Sequence, residues 1–348
     1  MRGKCGLFYT SYGQERALLT TPSQKWRFGL FLLVYLLSPL ALDAYDLSVL
    51  IMVHIAVIGA VSLNLLTGSC GQISLGHGAF LGVGAYGAAY CTANGVPFVP
   101  ALLLGGTASA LVGLLFGIPS LRLKGIYLAI ATLAAQIILT YVFLHWDAVT
   151  GGAHGMMVAT PSILGYAFDT DAKTFFLTLA VAVLAILTVA NILRTRTGRA
   201  FVAVRDHYLS AEIVGVNLFR TKLVAFGASS FLAGVAGGLW GHYVMYITPE
   251  MFGIGLSISY LAMIIIGGLG SVQGAVFGAI FITLLPEFLN WGSGELSGLL
   301  PGVADSLMAM KEGIFGLVLV LFLIFEPEGL NRRWQLFKAY WKLYPFAY

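Results

Sequence analysis

Ser74 and His77 are the pair whose types and spacing come nearest to a nucleophile and its base. At i and i+3 they share one face of a helix, as an intramembrane hydrolase would need. The companions of that chemistry are missing: no GxSxG-type elbow, partner acid or oxyanion motif accompanies them. Polar glue is the better reading. Gln72, Ser74, His77 and Gly78 open a glycine-rich apolar stretch, where they can bond across helices, cover the backbone of a broken helix or line a translocation pathway.

The other reactive residues stand apart. His54 and His145 are single histidines with no second His, Cys or carboxylate at metal spacing, so structural roles are expected of both. Cys5, Cys70 and Cys91 show neither a CxxC nor a Cys/His pattern and read as small apolar fillers. Glu287, preceded by Pro286, is the clearest carboxylate inside an apolar run, which is thin support for proton or cation coupling. Thr150-Gly-Gly-Ala-His-Gly155 has the look of a phosphate loop but lacks the GxxxxGK[ST] form and a preceding strand, so it is expected to be an ordered loop. No metal, cofactor or nucleic acid is called for.

The elements that must carry these residues are membrane helices. At 59% hydrophobic and 10% charged residues, with a mean hydropathy of +0.89, the chain is far from the ~25% charged residues of a soluble domain. Apolar stretches run at 28–42, 47–66, 72–91, 99–117, 126–145, 174–193, 223–244, 254–266, 272–289 and 306–325. They lack the alternation of a barrel strand. The expected class is therefore all-α, a polytopic membrane helix bundle of about ten spans. The short first and eighth stretches and the glycine-rich third are the ones that could be broken or re-entrant. Residues 1–27 do not read as a cleaved signal peptide, so the first stretch is taken as a retained helix.

Charge sets the orientation. With a cytoplasmic N-terminus and alternating spans, Arg2, Lys4, Arg16, Lys25, Arg27, Arg122 and Lys124 fall inside. So do Arg194, Arg196, Arg199, Arg205, Arg220, Lys222, Arg332, Arg333, Lys338 and Lys342. Only Lys173 and Lys311 among the 19 Lys and Arg then lie outside. The outer side collects Asp43, Asp46, Asp147, Asp169, Asp171, Glu250, Glu295 and Asp305.

The 43 glycines cluster inside the spans, as in 78–82, 113–117, 234–238 and 270–278. Small residues at i and i+4 let helix backbones approach closely, so a tightly packed bundle is expected, with Gly274 and Gly278 at a helix contact. The segments 71–82 and 268–278 share a small, polar lead into GAxxG, a hint of a duplicated half.

One polar segment breaks the apolar pattern: RTRTGRAFVAVRDHYLSAEIVGVNLFRTK, residues 194–222. A segment this long must lie outside the hydrocarbon. A solvated basic linker would not need Phe201, Val202, Val204, Ile213 and Val214. They point to a helix docked in another protein's groove, with a helix lying on the lipid surface as the competing reading. Ala211 and Gly215, at i and i+4, would form one small-residue face of a short helix.

These segments together carry a resemblance. SLNLLTGSCGQISLGHGAFLGVGAY (62–86), LRLKGIYLAIATLA (121–134), TGGAHGM (150–156), TGRAFVAVRDHYLSAEIVGVNLFRTKLVAFGASSFLAGVAGGLWGHY (197–243) and IIIGGLGSVQGAVFGAIFITLLPEFL (264–289) resemble the permease of bacterial branched-chain amino acid ABC importers, of the LivM type. The likeness spans about 47–330. It implies a non-catalytic inner-membrane transport subunit with both termini cytoplasmic. The implied partners are a second homologous permease, two cytoplasmic ABC ATPases, a periplasmic substrate-binding protein and membrane lipid.

The implied parts are a cytoplasmic segment 1–27, a permease domain 28–326 with a coupling segment at 194–222, and a cytoplasmic tail 327–348. Gly198, Arg199, Arg205, Asp206, Ala211, Glu212 and Gly215 are then the expected ATPase-coupling residues. The family's EAA loop places a glycine after its second alanine. Here Leu209-Ser210-Ala211 precede Gly215, so only the last alanine and the glycine match, and Glu212 is displaced from the acidic place. A urea or short-amide permease shares much of this pattern. An ion-coupled carrier would need coupling carboxylates near the midplane, which the sequence hardly offers.

Overall fold

The computed structural model describes residues 22–120, 125–163, 165–297, 311–326 and 328–343. Expectations placed on Arg2, Lys4, Cys5, Arg16, Arg122, Lys124, Asp305 and residues 306–310 and 344–348 lie outside the described residues.

The class is all-α, as expected. In chain order the helices are α1 Pro22–Leu37, α2 Ala44–Leu63, α3 His77–Ala93, α4 Phe98–Ser120, α5 Ile126–His145 and α6 Asp171–Arg194. They continue as α7 Arg196–Ile213, α8 Leu218–Val244, α9 Ile254–Gly267, α10 Val272–Ser297, α11 Lys311–Phe325 and α12 Leu330–Leu343. α2 runs on as a π-helical stretch, Asn64–Ser69. Two antiparallel pairs sit in the loops: β1 (Met156–Met157) with β4 (Tyr246–Ile247), and β2 (Ser162–Ile163) with β3 (Tyr166–Ala167).

Seven helices among the described residues are long and apolar enough to cross a membrane, namely Ala44–Ser69, Phe98–Pro119, Ile126–His145, Asp171–Arg194, Leu218–Val244, Pro249–Gly267 and Val272–Trp291. The other apolar stretches are helical too, but the described lengths of α1, α3 and α11 are 16, 17 and 15 residues. The third stretch differs from expectation. Its helix begins at His77, and residues 71–76 are irregular. Ser74 and His77 therefore do not share a helical face.

Composition explains the layering. α3 is rich in Gly and Ala with no polar stripe, and a helix apolar all round belongs inside. It lies between α4 and α8, where bulk is excluded: a β-carbon on Gly84 would meet the backbone of Gly234, and one on Gly237 the Leu81 carbonyl. The Ser109 hydroxyl of α4 lies 2.8 Å from the carbonyl oxygens of Phe80 and Ser230, one donor shared between two neighbours. α9 and α10 approach as closely. A β-carbon on Gly278 would collide with the Met263 carbonyl, and one on Gly267 with that of Gly274, so Gly274 and Gly278 do sit at a helix contact.

α2 packs on α6, α8 and α10. His54 is buried there, with Nε2 2.6 Å from the Tyr35 hydroxyl and Nδ1 3.0 Å from Thr178 Oγ1, the structural role expected of it. Thr150 closes the end of α5, its hydroxyl 2.7 and 2.8 Å from the Phe143 and Trp146 carbonyls. Thr150-Gly-Gly-Ala-His-Gly155 is thus an ordered loop.

The helices alternate in direction, so contacts sort into two ends. Tyr45 pairs with Glu287, and Tyr246 with the His154 carbonyl, at one, which carries Asp43, Asp147, Asp169 and Asp171. Gly68, Gln72, Arg205, Lys222 and Gly270 meet at the other, which carries Arg194, Arg199 and Arg332. These are called the acidic and the basic end.

Candidate functional site

At the basic end, two glycine turns and the polar helix α7 come together around the end of α2. Winding the end of α2 as a π-helix widens its turn, a distortion that recurs at functional sites. Asn64 begins that stretch. Its Oδ1 accepts from the Gly270 amide at 2.9 Å, and its Nδ2 donates to the Ser271 carbonyl at 3.0 Å. The turn before α10 is thereby fastened to α2. The Gly68 carbonyl in turn accepts from Arg205 Nη1 at 2.9 Å. A β-carbon on Gly71 would press on Arg205 at 3.0 Å and one on Gly270 would meet Nη1 at 2.7 Å, so both turns need glycine to admit the arginine. Asp206 lies 2.8 Å from Arg205 Nε.

Residues 71–76 form the next layer. The Gln72 amide donates to the Lys222 carbonyl at the start of α8, at 3.4 Å, and Thr67 Oγ1 donates to the Gln72 carbonyl at 3.0 Å. Leu75 N–H donates to Thr132 Oγ1 of α5 at 2.9 Å. The first turn of α3 leaves its N–H groups without partners in the helix. Gly78 N–H finds Ser257 Oγ at 2.8 Å, and Ala79 N–H finds Gln136 Oε1 at 2.9 Å. Gln136 completes the lock by donating to the Phe252 carbonyl at 2.6 Å. His77 Nε2 lies 3.0 Å from the Gly59 carbonyl and 3.1 Å from Ser62 Oγ.

Gln72, Ser74, His77 and Gly78 are all buried. The Ser74 hydroxyl has no hydrogen-bond partner among the described residues, and His77 is committed to α2. The nucleophile–base geometry of a hydrolase is absent. Sequence reasoning found this segment but missed its partners Asn64, Thr132, Gln136 and Ser257. A signal existed: Asn64 and Gln136 are amides inside otherwise apolar runs, and such groups demand partners in a membrane.

α7 is two helices broken at His207, whose φ and ψ are −151° and 88°. Thr195 caps its start by accepting from Gly198 N–H at 3.4 Å. Gly198, Phe201, Val204 and Ala211 face inward, while Arg199, Arg205, Asp206, Glu212 and Gly215 are exposed. A β-carbon on Gly198 would strike the Leu193 backbone, so this glycine lets α6 and α7 cross closely.

One expectation fails here. Ala211 and Gly215 do not form a shared face, because the helix stops at Ile213 and Gly215 takes φ +92°. The Gly215 amide donates to the Glu212 carbonyl and the Val216 amide to the Ala211 carbonyl, both at 2.9 Å, a glycine helix stop. What the tip presents outward is apolar: Ile213 is 86% exposed, Val214 83% and Leu209 59%. No cluster of metal-binding side chains occurs among the described residues.

Comparison with known proteins finds relatives by sequence. LivM, the high-affinity branched-chain amino acid transport system permease protein of Salmonella typhimurium, is 29% identical over 336 residues, covering 89% of this chain and 76% of the relative. LivM of Escherichia coli is 29% identical over 310 residues, covering 82% and 69%. LsrC, the autoinducer 2 import system permease protein of an Enterobacter species, is 29% identical over 245 residues, covering 66% and 68%. No solved structure matches the chain. The family model described as branched-chain amino acid transport system, permease component, matches residues 46–323. The chain belongs to that family.

Proposed function

We propose that this chain is the permease subunit of an ATP-driven importer for branched-chain or other hydrophobic amino acids. It sits in the bacterial inner membrane as about ten spans, with both termini and the basic end in the cytoplasm. Its parts are residues 1–27, the permease domain 28–326 and the tail 327–348. It acts with a second homologous permease, two ABC ATPases, a periplasmic substrate-binding protein and surrounding lipid, and it performs no catalysis itself.

The observation that carries this reading is the tip of α7. Ile213 and Val214 stand almost fully exposed, an apolar knob on a polar helix that fits a partner's groove. Gly198 and Ala211 seat the helix on the bundle, and Gly215 ends it. Arg199, Asp206, Glu212, Leu209, Ile213 and Val214 supply the outward contacts. Arg205 is the link inward. A push on α7 by closing ATPases moves the Gly68 and Gly270 turns with it, biasing the bundle between outward and inward access. Gln72, Ser74, His77 and Gly78 belong to the inner barrier that must part for release.

The test is ATP hydrolysis by the purified complex with its binding protein. Leucine, isoleucine or valine should stimulate hydrolysis and be transported. Stimulation by urea or a short amide alone would replace the substrate assignment. A chain that purifies without ATPases and transports alone would overturn the importer reading.

A further inference from the structure

A cavity of about 440 Å³ lies between α2, α8, α9 and α10, away from the α7 junction. It begins at Tyr45 and Glu287 on the acidic end and reaches Ala56 and Met263 in the middle of the bundle, a depth of about 16 Å along α2. Its size falls within the range of about 300 to 1,000 Å³ typical of small-molecule sites. Its apolar lining is Met52, Ile55, Leu256 and Met263, with Met263 the deepest. Polar side chains line it from every helix: Tyr45 and Ser48, Trp240 and Tyr243, Ser259 and Tyr260, Thr283 and Glu287. Thr283 and Glu287 are one turn apart on α10, so they share a face, and Trp240 of α8 lines the same space.

Two features show that this face is not ordinary packing. The Thr283 hydroxyl and the Trp240 indole N–H are both buried without a hydrogen-bond partner among the described residues. Buried polar groups are normally paired, and an unpaired one costs stability unless something else occupies it. Glu287 is held in place, its Oε2 accepting from the Tyr45 hydroxyl, which leaves Oε1 to accept a further donor. The site thus offers one anion, two donors and an apolar wall.

We propose that this cavity is the outward-facing substrate site, and that it takes a small zwitterionic amino acid with a branched apolar side chain. The ammonium pairs with Glu287, and the carboxylate accepts from Trp240 Nε1 and Thr283 Oγ1. The side chain lies against Met52, Ile55, Leu256 and Met263. A charge-assisted pair is the strong polar contact here, and it selects for an ammonium. Below the cavity, Tyr260 packs edge-on against His77 with ring centroids 5.3 Å apart, placing the bound molecule directly above the inner barrier. This assignment rests on the importer reading and names the residues that give it selectivity.

The test is ligand protection of a thiol in the cavity, in the reconstituted complex. With Cys5 and Cys91 replaced by serine, Thr283→Cys should react with a small methanethiosulfonate applied from the acidic side. Leucine should slow that reaction. Two analogues, 4-methylpentanoate without the ammonium and 3-methylbutylamine without the carboxylate, should require at least about ten-fold higher concentration for equal protection. Glu287→Gln should weaken protection by leucine about ten-fold or more while leaving that by 4-methylpentanoate unchanged. A thiol that does not react, no protection by leucine, or equal protection by all three compounds overturns the site.

Transport separates the two claims. Wild-type leucine uptake with full uptake in Glu287→Gln sinks the site and leaves the importer reading standing. Leucine protection in a complex that neither hydrolyses ATP nor transports sinks the importer reading and leaves the site.

Discussion

Adding a single carbon separates the glycines of this chain into two kinds. At Gly278 it collides with the Met263 carbonyl, and at Gly274 it comes within 2.6 Å of the Gly268 carbonyl, whereas at Gly29 nothing lies within 4 Å. Backbone cannot move aside as a side-chain tip can. Gly278→Leu should therefore overpack the α9–α10 contact by about 1 to 3 kcal/mol or more, lowering the yield and thermal stability of the purified protein. Gly29→Leu should leave both at wild-type levels. Equal behaviour of the two variants in a melting assay would mean that the α9–α10 contact does not matter to assembly. The spacing of Gly274 and Gly278 announced this contact because small residues one turn apart stack on one face. It could not announce Asn64, whose value lies in the amide it bonds 206 residues away.

At the scale of one element, α7 shows both what a sequence carries and what it withholds. Charge and apolar content pointed to a helix at residues 194–222 docked in another protein's groove, but Phe201 and Val204 are buried in this chain's own bundle, and only Ile213 and Val214 are left almost fully exposed for a partner. The i, i+4 spacing of Ala211 and Gly215 misled, because spacing assumes a helix that continues and a glycine is also the residue that ends one. The break at His207 left no periodic trace either. Both errors are backbone events, set by a few dihedral angles. The exposed tip then makes the sharper test. Ile213→Asp with Val214→Asp should insert normally but lose solute-stimulated ATP hydrolysis and transport, since two charges replace the apolar knob. Ile213→Trp with Val214→Trp discriminates further. A helix lying on lipid accepts tryptophan at the interface, so wild-type transport by that variant would make α7 a membrane-surface helix. Gly215→Asn, which tolerates a left-handed backbone, should behave as wild type.

For the molecule as a whole, contacts sort the residues into two ends, and charge alone proposes which end is cytoplasmic. Charge enters only as the count of basic residues on each side. The two ends are marked by contacts: Arg205 reaches Gly68 at one end, and Tyr45 reaches Glu287 at the other. α6 links the two ends through 24 residues, about 36 Å of helix, enough to cross the hydrocarbon. Just before its acidic end lies Asp169, whose carboxyl is held below the usual range by the hydrogen bond from Lys173. Its basic end runs into Arg194, Arg196 and Arg199. Thr197 and Ser162 are exposed and flank this helix, so they report on opposite faces. In intact cells from which the outer barrier has been removed, Ser162→Cys should react with a membrane-impermeant maleimide. Thr197→Cys should react only after the inner membrane is opened. Labelling of Thr197→Cys but not Ser162→Cys would invert the molecule and put α7 where no cytoplasmic ATPase can reach it, so the coupling role of Arg205 and of the Ile213 tip would fall with the orientation. Labelling of both in sealed cells would mean that α6 does not cross the membrane at all.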